Sequence, residues 1–148
     1  MGLQVSTRSR YGLRLMVYLA RSYGSGIALM REVSRAEDIS EKYLGQIIIP
    51  LKNAGLVSSQ RGAKGGYALA RPPESITVKD VVEAIEGDVS PVPCVDDPEA
   101  CARKSSCVAA MVWRKLADDM AASLSSFTLA ELARRAEGIA EPAPSYSI

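Results

Sequence analysis

The sequence contains no histidine, and this absence excludes several kinds of active site. Histidine is the most frequent general base in enzymes and a common zinc ligand, so His-based catalytic triads and His-containing zinc sites are ruled out. An enzyme is therefore disfavoured, although carboxylate or thiol chemistry stays open. The chain also lacks an apolar run near the roughly 18 residues of a membrane span, and Met1-Gly2-Leu3-Gln4 has no signal-peptide character. We expect a cytoplasmic protein without a membrane partner.

Cysteine is scarce as well: the chain has three, Cys94, Cys101 and Cys107. Three cysteines in a reducing compartment cannot form a closed set of disulfides, so thiol or metal chemistry is the more natural interpretation. They lie in or directly after the segment from Asp88 to Ser106, which has three prolines, four acidic residues and no periodicity. Such a long loop without secondary structure is uncommon in a compact domain unless it has a function.

The charge is nearly balanced, with 18 Lys and Arg against 17 Asp and Glu, but it is unevenly distributed. Residues 1–71 carry 11 basic and 4 acidic side chains, a net charge of +7, whereas residues 72–148 carry 7 and 13, a net charge of −6. This asymmetry is typical of a protein whose basic half binds a polyanion.

The most informative part of the chain is a predicted helix that begins at Ser40, which has the position of an N-cap. Its buried face is predicted by four apolar residues at i, i+3, i+4 and i+7: Leu44, Ile47, Ile48 and Leu51. Gly45 costs about 1 kcal/mol relative to alanine in a helix, and Pro50 removes a backbone hydrogen bond. Either tertiary packing tolerates Gly45, or Gly45 lets the helix approach a DNA groove closely, with Lys42 and Gln46 on the same exposed face.

A basic hairpin follows this helix directly. Residues 56–60 and 67–69 are short extended runs on either side of Arg61-Gly62-Ala63-Lys64-Gly65-Gly66, a turn of glycines and cations. A winged helix-turn-helix contacts DNA with this arrangement, its helix in the major groove and its wing on the backbone or minor groove. The alternative is a buried helix with an ordinary surface hairpin, and the charge asymmetry favours DNA binding.

The segments before this stretch complete the helix-turn-helix. Ser6 to Tyr23 is predicted to form a first helix, and Arg31 to Glu37 a second, short one. Arg8 and Arg10 lie off the buried face of the first helix. Such arginines are often only a solvated surface, but at the front of a helix-turn-helix they would lie near phosphate.

The second half of the chain predicts further helices. Thr77 and Asp80 have the form of a capping box and open a helix that stops at Gly87. Val108 to Leu124 has a long apolar stripe at helical spacing. One small domain has little surface left to cover this stripe, so a second copy of the chain is its natural partner. Packing of the helix on its own domain is the alternative.

The predicted fold is mainly α with a small β wing, a winged helix-turn-helix domain plus a long dimerisation helix. A last helix, opened by a capping box of Thr128 and Glu131, is predicted to end at Gly138. The predicted parts are residues 1–71, the winged helix-turn-helix DNA-binding domain; 72–90, a connecting helix; 91–107, a cysteine loop; 108–137, the dimerisation and terminal helices; and 138–148, a flexible tail.

Five segments together resemble a known family. They are YGLRLMVYLA, EKYLGQIIIPLKNAGLVSSQRGAKGGYAL, ITVKDVVEAIEG, the three-cysteine loop and a terminal FTLAEL, spread over residues 3 to about 137. The resemblance is to the Rrf2 family of bacterial transcription regulators, and the cysteine loop is similar to that of its iron–sulfur (IscR/NsrR-like) branch. It implies a homodimeric DNA-binding regulator, expected to be a repressor. A labile 2Fe-2S or 4Fe-4S cluster that senses redox, nitric oxide or cluster status would control operator binding.

The resemblance also implies roles for individual residues. Three residues are implied to read the major groove: Ser40, Lys42 and Gln46. The family position of Gly45 often bears a longer side chain, so the sequence preference is expected to differ here. Arg61 matches a wing arginine that enters the minor groove, where a guanidinium suits the negative potential of A·T-rich DNA. Lys64 would contact phosphate.

The three cysteines are implied to be the cluster ligands, and soft thiolate donors suit iron. The fourth ligand is open. IscR-like members have a histidine at the position of Ala110, and NsrR-like members use a carboxylate at the position of Arg10. A small molecule would serve instead, or one of three acidic residues in the loop: Asp96, Asp97 and Glu99.

Two alternatives stand beside cluster sensing. The same DNA-binding regulator would sense redox directly through its thiols, or hold zinc, although the cysteines lack the C-x-x-C pairs of usual zinc sites. An iron–sulfur electron-transfer or carrier protein is the other alternative, and the basic winged half argues against it.

Overall fold

The structure, a computed structural model, describes residues 4–63, 65–96, 99 and 106–140. The elements in these residues are α1 (Thr7–Arg21), α2 (Met30–Glu37), α3 (Glu41–Asn53), β1 (Val57–Gln60), β2 (Gly66–Leu69), a 3-10 turn (Pro73–Ser75), α4 (Val78–Glu86), α5 (Pro93–Asp96), α6 (Ala109–Ser125) and α7 (Leu129–Ala140). The predicted mainly α fold with a small β wing is confirmed. None of the described helices is long and apolar enough to cross a membrane.

The placement of α3 follows from its buried face. Four side chains there are between 0% and 3% exposed: Leu44, Ile47, Ile48 and Leu51. Burying four aliphatic side chains of this size contributes about 6–12 kcal/mol, at about 1.5–3 kcal/mol each. This gain outweighs the roughly 1 kcal/mol that Gly45 costs and the roughly 3 kcal/mol that Pro50 costs in a helix interior. The helix therefore forms as predicted, with the Ser40 Oγ as its N-cap.

A tight turn joins α2 to α3. Asp38 adopts a left-handed conformation, with φ 54° and ψ 48°, which aspartate tolerates better than most non-glycine residues. Ile39 is 4% exposed and belongs to the hydrophobic core. These two residues turn the chain between the helices, and α1 packs against both α2 and α3. The predicted helix-turn-helix is therefore present.

The wing is a hairpin with an additional backbone partner. β1 and β2 pair antiparallel, with Val57 opposite Leu69. The backbone N–H and C=O of Tyr67 exchange hydrogen bonds with Ala28, each 2.8 Å long. A Cβ built on Gly66 would lie 2.5 Å from the carbonyl oxygen of Ala28, so this close approach of two backbones requires glycine.

After α6 the chain returns to the N-terminal helices. The Leu129 N–H donates to the Ile76 C=O at 2.9 Å, and the Val78 N–H donates to the Phe127 C=O at 3.0 Å. Ile76 and Leu129 are both 0% exposed, and α7 packs along α1. One hydrophobic core therefore joins the first helix to the last.

The two predicted capping boxes differ in completeness. In the first, Thr77 Oγ1 accepts from the Asp80 N–H at 3.1 Å, and the Asp80 carboxylate accepts from the Thr77 N–H at 2.9 Å. In the second, Thr128 Oγ1 accepts from the Glu131 N–H at 3.2 Å. The Glu131 carboxylate binds Arg135 at 2.7 Å, one turn further along α7. An i, i+4 ion pair thus occupies the carboxylate that was predicted to cap the helix.

Two boundaries differ from the prediction. The segment predicted to lack secondary structure, residues 88–106, contains the short helix α5. The last helix continues to Ala140 instead of ending at Gly138, so the predicted tail begins three residues too early. Gly138 does not take the left-handed conformation of a C′ glycine. An isolated glycine weakens a helix by about 1 kcal/mol, which is too little to end it. Residues 141–148 lie outside the described part.

Candidate nucleic-acid interface and cysteine segment

The exposed side of α3 is the candidate DNA-reading face. Successive helical residues are about 100° apart, so Lys42, Gly45 and Gln46 lie opposite the four buried side chains. Lys42 and Gln46 are exposed, and a Cβ on Gly45 would have no heavy atom within 4 Å. Ser40 lies exposed at the N-terminal end of this face. Its Oγ accepts from the Tyr43 N–H at 3.2 Å and, as a hydroxyl, can still donate a hydrogen bond.

Arg61 lies at the tip of the wing and is exposed. Gly62 beside it has φ 106°, a conformation that favours glycine, and its C=O accepts from the Gly65 N–H at 2.9 Å. A Cβ on Gly65 would lie 2.4 Å from the carbonyl oxygen of Gln60. The glycines therefore allow a tight turn that leaves Arg61 accessible. Lys64, the second predicted wing cation, lies outside the described residues.

The two predicted phosphate contacts on α1 have different surroundings. Arg8 is exposed. Arg10 donates from Nη2 to Thr7 Oγ1 at 2.9 Å. Its side chain also lines a groove between α1, α4 and α6. Arg10 thus lies beside the second half of the chain, and its contact with phosphate stays a prediction.

Another arginine of α1 has a structural role that sequence reasoning missed. Arg14 donates from Nε to Glu37 Oε2 at 3.0 Å and from Nη2 to the Glu37 carbonyl oxygen. Its guanidinium lies 5.6 Å from the centre of the Tyr11 ring, which packs edge-on against Tyr43 with ring centres 5.7 Å apart. Arg14 therefore ties α1 to the C-terminal end of α2 and, through Tyr11, to α3. No local pattern in the sequence connects these residues.

A carboxylate from a distant helix binds the N-terminal end of α1. Ser9 is 1% exposed, and its Oγ donates to Glu86 Oε1 at 2.7 Å. The hydroxyl of Ser6 donates to the same oxygen. A helix N-terminus carries partial positive charge, so the Glu86 carboxylate, at the C-terminal end of α4, stabilises α1. Sequence reasoning missed this link too, because the partners are far apart in the chain.

The first half of α6 presents an apolar face without a partner among the described residues. Four of its side chains are between 39% and 78% exposed: Val108, Met111, Val112 and Trp113. Ala110 and Ala117 are buried, and α6 packs against α4 and α5. A groove of about 580 Å³ lies between α1, α4 and α6, with a mostly apolar lining that includes Leu13, Val82 and Leu124. Exposed apolar side chains grouped on one helix are typical of a surface that a partner covers.

The described part of the cysteine segment lies next to α6. Cys94 belongs to α5, which packs against α6, and Cys107 lies two residues before α6. Cys107 is partly buried and forms no disulfide. Cys101 and Asp97 lie outside the described residues. Within the part that the structure describes, no three His, Cys, Asp or Glu side chains are grouped as a metal site.

Neither position at which the family resemblance suggests a fourth cluster ligand, Ala110 or Arg10, carries a suitable donor. Ala110 is 7% exposed in the first turn of α6. The guanidinium of Arg10 is positively charged and has no lone pair with which to bind iron. Of the acidic candidates, Asp96 belongs to α5, and Glu99 is exposed.

A helix-turn-helix followed by a two-stranded wing defines this chain as a winged helix-turn-helix protein, a class that binds DNA. The model of the Rrf2 family, described as an iron-dependent transcriptional regulator, matches residues 5–135. The chain therefore belongs to the Rrf2 family of transcriptional regulators, as its sequence motifs predicted.

Regulators named CymR and regulators named IscR are both similar to this chain. The transcriptional regulator CymR of Bacillus subtilis (strain 168) is 38% identical over 136 residues, which are 92% of this chain and 94% of CymR. Its solved structure superposes with a TM-score of 0.74 at 37% identity, covering 90% of this chain and 98% of CymR. The solved structure of IscR from T. potens superposes with a TM-score of 0.76 at 36% identity, covering 97% of this chain and 95% of IscR.

Proposed function

We propose that this protein is a homodimeric repressor that binds operator DNA through α3 and the wing, under the control of an iron–sulfur cluster held by the cysteine segment. The observation that carries the DNA-binding part is the exposed face of α3. Lys42 and Gln46 are exposed on this face, beside Gly45. The opposite face is buried, so the core holds the helix in one orientation.

The chemistry of this face suits the major groove. A glutamine amide pairs with N6 and N7 of adenine, and a lysine ammonium donates to O6 and N7 of guanine. The missing side chain of Gly45 lets base edges approach the helix backbone beside Lys42 and Gln46. Arg61 on the wing suits a narrow, A·T-rich minor groove. Arg8 would add a phosphate contact that positions the domain without reading sequence.

Dimerisation through α6 would supply a second DNA-binding domain. A partner copy would cover the exposed cluster around Trp113. Closed symmetry makes such an interface self-complementary, so the operator is expected to be two-fold symmetric. Dimeric helix-turn-helix proteins bind half-sites about 34 Å apart, one turn of DNA. The orientation of α6 would therefore decide whether both DNA-binding domains of the dimer fit one operator.

The donor set of the cysteine segment fits a cluster through three thiolates. Soft sulfur donors match iron and the sulfides of a cluster. Cys94 lies on a helix that packs against α6, and Cys107 lies just before α6. A bound cluster would supply iron that reacts with oxygen or nitric oxide at this position. The fourth donor would come from an acidic residue of the segment or from a small molecule.

Direct sensing through the thiols, without a cluster, is the second candidate. Ala110 and Arg10 favour it, because neither residue offers iron a donor. The similarity to CymR also favours it, since the solved structure of CymR is described as the global cysteine regulator of B. subtilis. Zinc held by the same cysteines is a variant of this candidate.

The DNA-binding part is tested by selecting sites from a pool of random double-stranded DNA. We expect the purified dimer to enrich a two-fold symmetric sequence and to lose affinity steeply as salt rises. Arg61→Ala should weaken binding about tenfold, in the range of one good base contact. Arg134→Ala is the matched control, because it removes the same charge from an exposed position on α7. Equal losses for both variants would contradict the role of the wing.

The sensing part is tested by purification without oxygen. A visible absorption band, together with iron and acid-labile sulfide, would support the cluster, and the stoichiometry separates two irons from four. Colourless protein that also fails reconstitution points to thiol or zinc sensing. Operator affinity of the loaded and empty forms is then compared at fixed salt. Equal affinities would reject control by the cluster, whatever the DNA selection shows.

A further inference from the structure

Ile49 is an apolar residue on α3 that the proposed function leaves unexplained. It is 57% exposed, whereas its neighbours Ile47 and Ile48 are 0% and 3% exposed. Single exposed apolar residues are common on protein surfaces and need no special cause. The position of Ile49 on the helix is what distinguishes it.

Ile49 shares the face of α3 that is proposed to read DNA. Lys42, Gly45, Gln46 and Ile49 stand at i, i+3, i+4 and i+7, and at about 100° per residue they fall within an arc of about 100°. The four buried side chains of α3 occupy the opposite arc. Gly45 lies one turn before Ile49, and no heavy atom lies within 4 Å of the Cβ that it lacks. The helix surface beside Ile49 is therefore uncovered.

A branched aliphatic side chain has few suitable partners in the major groove. The base edges there are hydrogen-bond donors and acceptors, and the apolar group among them is the 5-methyl of thymine. Ile49 makes no hydrogen bond, so against any other base edge it would cover a polar group without satisfying it. Packed against a thymine methyl, it buries apolar surface on both sides.

We propose that Ile49 is a specificity-determining residue that packs against the 5-methyl group of an operator thymine. The proposal rests on the proposed DNA-binding function and adds a residue and a base to it. Together with the predicted polar readers Lys42 and Gln46, it gives α3 an apolar contact one turn further along the groove.

Deoxyuridine provides the test, because it differs from thymidine only by the missing methyl. In the operator selected by the wild-type protein, each thymine is replaced in turn. We expect one position per half-site at which replacement of thymine weakens binding about fourfold, which corresponds to the loss of one buried methyl group. When both half-sites carry the replacement, binding should weaken about fifteenfold. Ile49→Ala should bind both DNAs equally and should tolerate other bases at that position.

Ile139→Ala is the matched control, since Ile139 is 84% exposed on α7, and it should keep the wild-type response to deoxyuridine. The inference is wrong if Ile49→Ala keeps that response, or if no thymine methyl affects wild-type binding. A change of oligomeric state in Ile49→Ala would also overturn it, because Ile49 would then be a subunit contact. If the wild-type protein enriches no sequence at all, the proposed DNA-binding function fails and the role of Ile49 with it.

Discussion

Replacing Gly45 by alanine should change folding stability and DNA binding in opposite directions. Gly45 lies in the interior of α3, does not have a positive φ, and a Cβ there would meet no heavy atom within 4 Å. The free protein therefore has no steric reason to require glycine. Alanine is favoured over glycine by about 1 kcal/mol in a helix interior. For a chain of this size that gain raises the melting temperature by about 2–4 °C.

The added methyl group would stand between α3 and the floor of the groove. If the helix backbone approaches the bases closely, the complex must separate or rearrange to admit it. Overpacking of a tight contact costs about 1–3 kcal/mol, so operator affinity should fall about 5- to 160-fold. The prediction is thus a more stable protein that binds its operator more weakly. A stability defect cannot produce this combination.

Thermal unfolding by circular dichroism and operator binding at fixed salt measure the two effects. Gly138→Ala is the control, because Gly138 lies in α7 and its Cβ would also meet nothing within 4 Å. It should stabilise the protein and leave DNA affinity unchanged. Wild-type operator affinity in Gly45→Ala would refute close approach of the helix. A lower melting temperature would refute the interpretation that the surface at Gly45 is open.

Substitutions at three further positions test the contacts that build the molecule. Trp113→Asp puts a charge into the exposed cluster on α6, so we expect a monomer in analytical ultracentrifugation and loss of operator binding. Ser9→Ala leaves Glu86 without a buried hydroxyl donor and should lower the free energy of unfolding in urea by about 1–2 kcal/mol. Arg14→Ala should cost about 1 kcal/mol, because its ion pair with Glu37 is partly exposed. Arg14→Lys should restore less than half of that loss, since lysine cannot reproduce the two-point contact.

Local patterns predicted most of the N-terminal half. The helical spacing that marked Leu44 and its three neighbours survives as the buried face of α3. Ser40 caps the helix as predicted. Each of these features depends on residues within one or two turns of each other, which is the range over which a sequence pattern carries structural information.

Such local patterns do not predict contacts between residues that are far apart in the chain. The hydrogen bonds of Ser9 to Glu86 and of Arg14 to Glu37 join residues 77 and 23 positions apart. The end of α7 was also misjudged, because the roughly 1 kcal/mol that Gly138 costs is too little to end the helix. For the candidate site, Lys42 and Gln46 are accessible as predicted, but their role in reading DNA stays a prediction.

Ile49 illustrates a different difficulty. In the sequence it follows Ile47 and Ile48, and a run of three apolar residues is easily assigned to the core as a whole. The angular positions of the three residues separate them: Ile47 and Ile48 lie within about 50° of the direction shared by Leu44 and Leu51, and Ile49 lies about 150° away from it. The signal was present, and it required each residue of the run to be placed on the helix individually.

Both ends of helix α4 connect the predicted DNA-binding domain to the rest of the molecule. Its C-terminal Glu86 holds the N-terminus of α1, and its N-terminal Val78 pairs with the segment before α7. Its side packs against α6. Because α1, α3 and the wing share one core, we expect a shift of α6 that is passed on through α4 to move them together and not to deform α3 alone. In the proposed dimer, we therefore expect a signal at Cys107 to act on the spacing of the two DNA-binding domains and to leave the base preference of each domain unchanged.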